Sequence, residues 1–462
     1  MFTIEPNCKP PLDPGFIPAA LWNRAYQEAA FRTKDARDVA IVIKRPDGKS
    51  WTHKTTLLSP SSDNDPLTWI YYERLQKFLL WAWGGSRIHI SGAPEVVDRI
   101  RTTYSPTGKR AFDNDFIGNS CFNENLSFES LDFATAQTAP VHSPEAMNTL
   151  NGNRIGFDLG GSDRKCAALI DGKVVFSEEI KWNPYFESDP EYHRQGIADS
   201  LRRAAAHLPQ VDAIGGSAAG IYIDNEPRVG SLYRGVSRAD FDARIRNVFK
   251  DLQKEWHGVP FEVANDGDVT AIAGAMAIGD SAVLGISMGT SLAAGYINPS
   301  NQVTGWLNEL AFVPVDYRSN APEDEWSGDI GCGAQYFSQQ AVGRLLPLSG
   351  IEVDPVIGLP EKLEVLQERM KQGDERAKQV YQTIGTYFGY TIAHYKDFYD
   401  FRNLLVLGRV SSGDGGNTIL ETSRHVLDVE FPEISSNITF QTPDEKTKRH
   451  GQAIAAASLP QL

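Results

Sequence analysis

The sequence has few cysteines, no long apolar run and no excess of basic residues. Its cysteines, Cys8, Cys121, Cys166 and Cys332, form no CxxC pair, which argues against a disulfide framework and favours reduced thiols. No apolar run approaches the roughly 18 to 20 residues of a membrane helix. The first 15 residues lack the charged and apolar regions of a signal peptide. We therefore expect a cytoplasmic protein that does not associate with membranes.

The charge balance excludes a basic binding surface. The formal net charge is −14, and Lys and Arg nearly balance Asp and Glu over residues 1–150. Because binding to a phosphate backbone requires a basic patch, we expect no nucleic-acid partner. With 462 residues, of which 41% are hydrophobic and 23% charged, the composition is typical of a globular protein of two to three domains.

Apolar periodicity predicts a small α/β domain over residues 1–150. The predicted elements are two helices at 25–35 and 68–83, a hairpin at 39–58 with a Pro-Asp-Gly turn, a strand at 87–91 and a helix at 94–104. The polar stretch 134–153 is predicted to be a linker, so a domain boundary is expected near residue 150. The role of this domain is left open among covering the active site, extending a substrate pocket and forming an oligomer interface.

A strand and turn pattern occurs twice in the remaining chain. GFDLGGSDRKCAALIDGKVV and GISMGTSLAAGYINPSNQV both predict a strand, a glycine turn, a second strand, a polar turn and a third strand. Such a distant repeat predicts two related lobes, each offering one glycine turn to a shared cleft. Strands alternate with helices after residue 154, which is typical of α/β sheets that bind ligands at strand ends.

The glycine turns fit neither of two familiar phosphate loops. The only Gly-Lys-Ser, at Gly48, has Ile43 where a P-loop requires glycine, and the Gly160-Gly161 turn opens a strand rather than a helix. A hairpin turn of glycines exposes backbone N–H groups that can bind phosphate, although such turns are also common without a ligand. Hydroxyls or charge on both turns favour the phosphate interpretation, from Ser162, Lys165, Thr290 and Ser291.

Asp158 lies within the apolar strand IGFDL. Burying a carboxylate there is costly unless it is hydrogen-bonded or faces a cation, and Asp beside a phosphate loop commonly holds Mg²⁺ through oxygen or water. The alternative is that strand alternation places Asp158 on a solvated face.

Five motifs in order resemble the ROK family (repressors, open reading frames and kinases). They are DLGGSDRKCAALIDG, VANDGDVTAIAGA, SMGTSLAAGYI, GWLNELAFVP and VLGRVSSGDGG, and they span about residues 154 to 460. The resemblance implies a fold of two ribonuclease-H-like lobes with a cleft between them, at 151–280 and 281–462, in addition to the N-terminal domain. It also implies that the protein is a sugar kinase that uses ATP and Mg²⁺.

The resemblance further implies roles for individual residues. Asp158 would organise Mg²⁺ through water. Phosphate and ATP would be bound by Gly160, Gly161, Ser162, Lys165, Gly289, Thr290, Ser291, Gly408 and Gly413, of which the last two belong to the adenosine motif. The Ser162-Asp163-Arg164-Lys165 turn replaces a shorter Thr-Lys turn of the family. Lys165 is left open as a γ-phosphate contact or a solvated turn residue.

The resemblance also implies four residues on the sugar side of the cleft. Asp266 resembles the catalytic base, and Asn265, Glu309 and Gly220 resemble sugar-binding positions. Accepting the proton of a sugar hydroxyl requires such a carboxylate. The alternatives are that Asn265, Asp266 or Asp268 caps a helix, and that Glu309 is a paired charge of the core.

The zinc loop of ROK kinases is degenerate in this sequence. Of the three cysteines in the family's CxCGxxGC frame, which matches residues 325–332, only Cys332 is present, Phe312 stands in place of a histidine, and Ala334 replaces a downstream glutamate. One thiolate does not make a tetrahedral zinc site, so we predict no structural zinc. The sugar specificity is not predicted.

Three functions are consistent with these residues. The first is an ATP-dependent kinase for a hexose or related sugar. The second is a sugar-sensing ROK regulator, which the near-neutral first 150 residues disfavour because they predict no basic recognition helix. The third is a catalytically silent sugar-binding protein. A homodimer is left open.

Overall fold

The computed structural model describes residues 2–132, 150–441 and 445–462, with side chains in the last range described from residue 451. The predicted linker at 134–153 lies largely outside the described residues. The domain boundary near residue 150 therefore stays a prediction.

The N-terminal residues form a four-stranded sheet covered by helices. Its strand order is β2-β1-β3-β4, with β4 parallel to β3 and the other pairs antiparallel. The strands are β1 (Arg37–Lys44), β2 (Ser50–Leu57), β3 (Arg87–Ser91) and β4 (Ser127–Ser130), and the helices are α1 (Ala19–Arg32), α2 (Asp65–Ala82) and α3 (Pro94–Thr103), followed by a short turn at Ala111–Asp113 and a π-helix at Asn114–Cys121. The predicted helices and hairpin are present, and Gly48 closes the β1–β2 turn at φ +86°.

The first lobe has a five-stranded sheet in the order β11-β8-β5-β6-β7. Strands β5 to β7 are antiparallel, and β8 and β11 add in parallel. The elements are β5 (Asn153–Leu159), β6 (Asp163–Ile170), β7 (Lys173–Lys181), α4 (Pro190–Ala205), β8 (Ala213–Ala218), the hairpin β9 (Ile221–Ile223) and β10 (Glu226–Val229), α5 (Val248–Glu255) and β11 (Phe261–Asn265), with short helical segments at Pro184–Phe186, Ser231–Tyr233, Arg238–Asp240 and Phe241–Ile245.

The second lobe repeats part of this arrangement in the order β13-β12-β14-β15. Its expected third strand is reduced to a single bridge between Ile297 and Val303. The helix α6 (Asp266–Ile278), which the expected lobe boundary at 280 assigned to the first lobe, packs mainly on β12 and β13. The other elements are β12 (Val283–Met288), β13 (Leu292–Ile297), α7 (Gln339–Ser349), α8 (Leu359–Lys371), α9 (Glu375–Lys396), β14 (Asn403–Leu407), α10 (Gly413–Glu430), β15 (Thr439–Gln441) and α11 (Glu445–Ala456), with short segments at Leu310–Phe312, Ala334–Phe337 and Pro432–Ser435.

Among the described residues, two large apolar cores lie against these sheets beside three smaller apolar clusters. One continuous core joins the N-terminal sheet to the second lobe, and the first lobe has its own. The last helix, α11, packs on the sheet of the first lobe, since a Cβ on Gly156 or Gly215 would lie within 1.8 Å of the Ala453 or Ala456 carbonyl oxygen. The predicted two-lobed α/β fold is confirmed. None of the described helices is long and apolar enough to cross a membrane.

Candidate active site

Asp158 lies near the end of β5 and is buried. Its Oδ1 accepts a hydrogen bond of 2.7 Å from the Ser217 hydroxyl on β8, and its Oδ2 lies 3.6 Å from Lys165 Nζ on β6. Burial raises the pKa of Asp158, while Ser217 and Lys165 lower it. The solvated-face alternative for Asp158 is therefore wrong. Lys165 also pairs with Asp163 at 2.8 Å, so it is not simply a solvated turn residue.

The turn between β5 and β6 is held from one side by aromatic residues. Gly160 N donates to Asp163 O at 2.9 Å, which leaves Gly161 and Ser162 at the tip. Trp182 Nε1 donates to Gly160 O at 2.7 Å. A Cβ on Gly161 would lie 2.2 Å from the Tyr185 hydroxyl oxygen, so only glycine fits against this ring.

The Gly161 turn provides a first test. Substituting Gly161→Ala forces the turn away from Tyr185, and overpacking of this kind costs about 1–3 kcal/mol. If the turn binds ATP, we expect the KM for ATP to rise about 10-fold. Adding Tyr185→Ala removes the obstruction and should lower this KM again. An unchanged KM for ATP in Gly161→Ala would separate the turn from nucleotide binding.

The second glycine turn and the C-terminal glycine motif lie side by side. Gly289, Thr290 and Ser291 join β12 to β13, and Gly289 N donates to Ser291 O at 2.9 Å. Gly408, at φ +100°, lies so close to the backbone of Met288 that a Cβ would be 2.4 Å from the Met288 oxygen. Gly413, at φ +63°, begins α10. The second lobe thus brings both predicted ATP-binding segments together at the ends of β12 and β14.

Asn265 and Asp266 join β11 to α6. Asn265 is the helix cap, because its Oδ1 accepts from Gly267 N at 2.7 Å, and its Nδ2 donates to Gly220 O at 2.6 Å. The capping alternative therefore applies to Asn265 and leaves Asp266 at the first helical position. Burial and the negative charge of Asp158 raise the pKa of Asp266 to about 6. This value suits a general base near neutral pH.

Glu309 is positioned by the N-terminal domain. The backbone N–H groups of Leu307, Asn308 and Glu309 donate to the carbonyl oxygens of residues 83, 82 and 81 at 3.3, 2.9 and 3.1 Å. These carbonyls at the end of α2 have no hydrogen-bond partner within the helix. Residues 307–309 therefore cap α2, and α2 in turn fixes their backbone. The Glu309 side chain forms no hydrogen bond or ion pair with the described residues. It is therefore not a paired core charge.

Asp268 is a site residue that the sequence identified only as a capping alternative. It is buried, and its Oδ1 accepts from Tyr296 N at 3.1 Å and from Asn308 Nδ2 at 2.8 Å. Burial and the negative charge of Asp266 raise the pKa of Asp268 to about 7. Burial and the negative charges of Asp266 and Asp268 raise the pKa of Glu309 to about 7. The repeated acid in Asn-Asp-Gly-Asp was the available signal for this cluster.

A cavity of about 290 Å³ lies beside Asp268. Gly220, Asn265 and Asp268 line it, together with Trp306 and the β1–β2 turn of the N-terminal domain. Two of the four predicted sugar-binding residues thus share one cavity. Asp266 lines a separate and smaller cavity between α6 and the β12–β13 hairpin.

A buried charge cluster occupies the degenerate zinc frame. Asp329 lies 2.8 Å from Arg74, 3.3 Å from Lys77 and 2.6 Å from Arg110, all cations of the N-terminal domain. Glu73 and Asp113 complete a group of three cations and three carboxylates. These cations hold the pKa of Asp329 well below its usual range although burial opposes them. The sulfur of Cys332 lies 3.8 Å from Asp329 Oδ2.

Phe312, at the position of the family's histidine, stacks on Trp81 with ring centroids 4.2 Å apart. The frame is thus joined to the N-terminal domain by both charge and aromatic contacts. That the protein holds no structural zinc stays a prediction, which metal analysis of protein purified without chelator tests.

The residues around Asp158 fit a divalent cation bound mainly through water. Within the described part of the chain, no group of three or more His, Cys, Asp or Glu side chains is arranged to hold a metal ion. Asp158 nevertheless offers a carboxylate whose charge is disfavoured by burial, which a nearby cation would relieve. Oxygen and water ligands are those that Mg²⁺ prefers.

The fold is shared with a solved ROK structure. A ROK hexokinase from Thermus thermophilus is similar over 67% of this chain and 97% of its own, with a TM-score of 0.52 and 18% identity. A ROK glucokinase from Streptomyces griseus, solved with glucose and AMPPNP, has a TM-score of 0.45 and 21% identity over 67% of this chain and 99% of its own. The first similarity confirms the predicted resemblance at the level of the fold.

A ROK family transcriptional regulator, described as a homologue of the E. coli MLC protein, is similar over 67% of this chain and 79% of its own, with a TM-score of 0.48 and 17% identity. No protein-family profile matches the sequence, and no curated protein matches it.

Proposed function

We propose that this protein, which has the ROK fold, is an ATP-dependent kinase that phosphorylates a hydroxyl of a hexose or related sugar. The observation that carries the proposal is the convergence of unpaired or weakly paired carboxylates, Asp266 and Glu309, beside Asp158 and two glycine turns. Carboxylates whose pKa values are raised by burial and by one another are typical of acid–base sites.

Asp266 acts as the general base in this proposal. Its carboxylate accepts the proton of the attacking sugar hydroxyl while the sugar oxygen attacks the γ-phosphorus and the bond to the leaving ADP oxygen breaks. Glu309 and Asn265 orient the sugar by accepting or donating hydrogen bonds to its other hydroxyls. Asn265 can do so because its cap and its bond to Gly220 leave one N–H and one lone pair free.

The glycine turns bind and shield the nucleotide. In this proposal the backbone N–H groups at 161–162 and 290–291 would hold phosphate oxygens, since those of Gly160 and Gly289 already donate to Asp163 O and Ser291 O, and Gly408 and Gly413 would flank the adenosine. Bound Mg²⁺ would neutralise phosphate charge, with Asp158 holding its water ligands. Movement of the lobes toward each other would exclude water from the reacting groups.

The raised pKa of Asp266 predicts a pH profile. Asp266 must be deprotonated to accept a proton, and its pKa in the folded protein is about 6. Activity should therefore rise roughly 10-fold per pH unit below 6 and level off above it. Asp158, Asp268 and Glu309 are coupled to this titration, so the midpoint belongs to the group. A log(kcat/KM) profile that is flat from pH 5 to 8 would contradict this role.

We do not favour a DNA-binding role for the N-terminal domain. Its main helix, α2, is buried along Tyr71 to Ala82 and contacts the second lobe, so it is unavailable for a DNA groove. A salt-sensitive shift of duplex DNA in a gel would favour the regulator instead. Calorimetry with ATP and Mg²⁺, with and without sugars, separates catalysis from silent binding.

A further inference from the structure

The cavity beside Asn265 is built by three parts of the chain. The first lobe contributes residues 220–225 and 261–265, and the second lobe contributes Gly305, Trp306 and Leu307. The third part is the β1–β2 turn of the N-terminal domain, through Arg45, Asp47 and Lys49. The β1–β2 turn therefore forms one wall of the cavity that Gly220 and Asn265, two of the predicted sugar-binding residues, also line.

This turn is hydrogen-bonded within itself and to its own domain. Arg45 N donates to Lys49 O at 2.9 Å, and Asp47 Oδ1 accepts from Lys49 N at 3.0 Å. The Arg45 guanidinium donates to Trp83 O at 2.7 Å and lies 4.6 Å from the centre of the Trp51 ring. A wall that is already ordered costs little entropy when a ligand binds.

The turn presents a carboxylate and an ammonium group side by side. Lys49 Nζ lies 3.9 Å from Asp47 Oδ2, a distance longer than a hydrogen bond. The Lys49 side chain is 35% exposed and the Asp47 side chain is 14% exposed. Lys49 Nζ also reaches to within 3.9 Å of where a Cβ on Gly305 would lie, so it extends toward the second lobe. Both groups have hydrogen-bonding capacity left for a ligand.

We propose that Asp47 and Lys49 bind two neighbouring hydroxyls of the acceptor sugar, away from the hydroxyl that reacts. This inference rests on the proposed kinase function and names the recognition that the N-terminal domain adds to it. One hydroxyl donates to the carboxylate and the next accepts from the ammonium group. Because the two charges cancel, the pair favours an uncharged polyhydroxylated acceptor over one that carries a charge at this position.

The first test compares two lysines of the same domain. Lys49→Ala removes the ammonium from the cavity, and Lys54→Ala is the matched control because Lys54 is exposed on β2 and does not line this cavity. With the best sugar, Lys49→Ala should raise the KM for sugar about 10-fold, as expected for a hydrogen bond to a charged group, with little change in kcat. Asp47→Asn, which keeps the turn acceptor Oδ1, should do the same. Lys54→Ala should match the wild type.

Deoxy analogues of the sugar identify the contacted hydroxyl. The analogue that lacks it should bind the wild type about 10-fold more weakly and lose almost nothing further in Lys49→Ala, since the two changes remove one interaction. The inference is wrong if every deoxy analogue binds more weakly by the same factor in the wild type and in Lys49→Ala. It is also wrong if Lys49→Ala and Lys54→Ala have the same KM for sugar. The kinase proposal stands in either case.

Binding separates this inference from the kinase proposal. If the wild type phosphorylates no sugar, the kinase proposal fails, and the contact is read from calorimetric titration of the protein with the same sugars. Weaker sugar binding in Lys49→Ala than in Lys54→Ala would still support the contact. Equal binding, or no binding by the wild type, would overturn it.

Discussion

Asp266→Asn should lower kcat by about 10²- to 10⁴-fold with little change in the KM for sugar. The amide has nearly the shape of the carboxylate but cannot accept the proton of the hydroxyl, and general bases typically contribute a factor of this size. Steady-state kinetics on the best sugar, with ADP release as the readout, measures the loss.

Misfolding does not explain such a loss. The pKa of Asp266 is raised, so the folded protein disfavours its charge, and removing that charge should leave the free energy of unfolding unchanged or raise it. Thermal unfolding of Asp266→Asn beside the wild type is the control. A stable variant with wild-type kcat would show that another group takes the proton, or that no such step exists.

Asp329→Asn should lower the free energy of unfolding by about 3–5 kcal/mol, because it leaves a buried positive charge without its partner. Asp329 is the only carboxylate of the cluster that lies outside the N-terminal domain, and it contacts all three buried cations. Urea denaturation measures the change. The KM for sugar should also rise, because α2 carries the cations Arg74 and Lys77 and fixes the backbone of Glu309.

Two further variants separate charge balance from other causes. Adding Lys77→Met to Asp329→Asn removes one cation and restores neutrality, so it should recover part of the lost stability. Glu364→Gln breaks an exposed pair with Arg409 and should cost at most about 1 kcal/mol. If Asp329→Asn is as stable as Glu364→Gln, the cluster does not hold the N-terminal domain to the second lobe.

Local sequence patterns predicted the helices, strands and turns better than the contacts between them. The glycine hairpins, the α2 helix and the β1–β2 turn follow from residue periodicity and turn chemistry, which act over a few residues. The helices α8 and α9 are separate, because Gly373 adopts φ +74° and Asp374 caps the second helix. That Gly-Asp pair was a visible stop signal.

The contacts that define the site depend on distant parts of the chain. Glu73, Arg74 and Lys77 are charged residues of α2 that would ordinarily face solvent, yet they are buried. Asp329 pairs with the two cations, and Glu73 pairs with Arg74 and Arg110. Segments far apart in sequence also meet where the end of α2 pairs with residues 307–309. The same is true where Asp268 lies close to Glu309. No local pattern encodes them, so the role of the N-terminal domain could not be predicted.

The most direct test of the account is a coupled ADP-release screen of the wild type with ATP and Mg²⁺ across hexoses, amino sugars and polyols, with the product followed by phosphorus NMR. The account predicts ADP and a sugar phosphate in equal amounts with at least one sugar, at a rate that Asp266→Asn lowers by 10²-fold or more. ADP release that no sugar raises above the sugar-free rate, in protein that binds sugar, would contradict it.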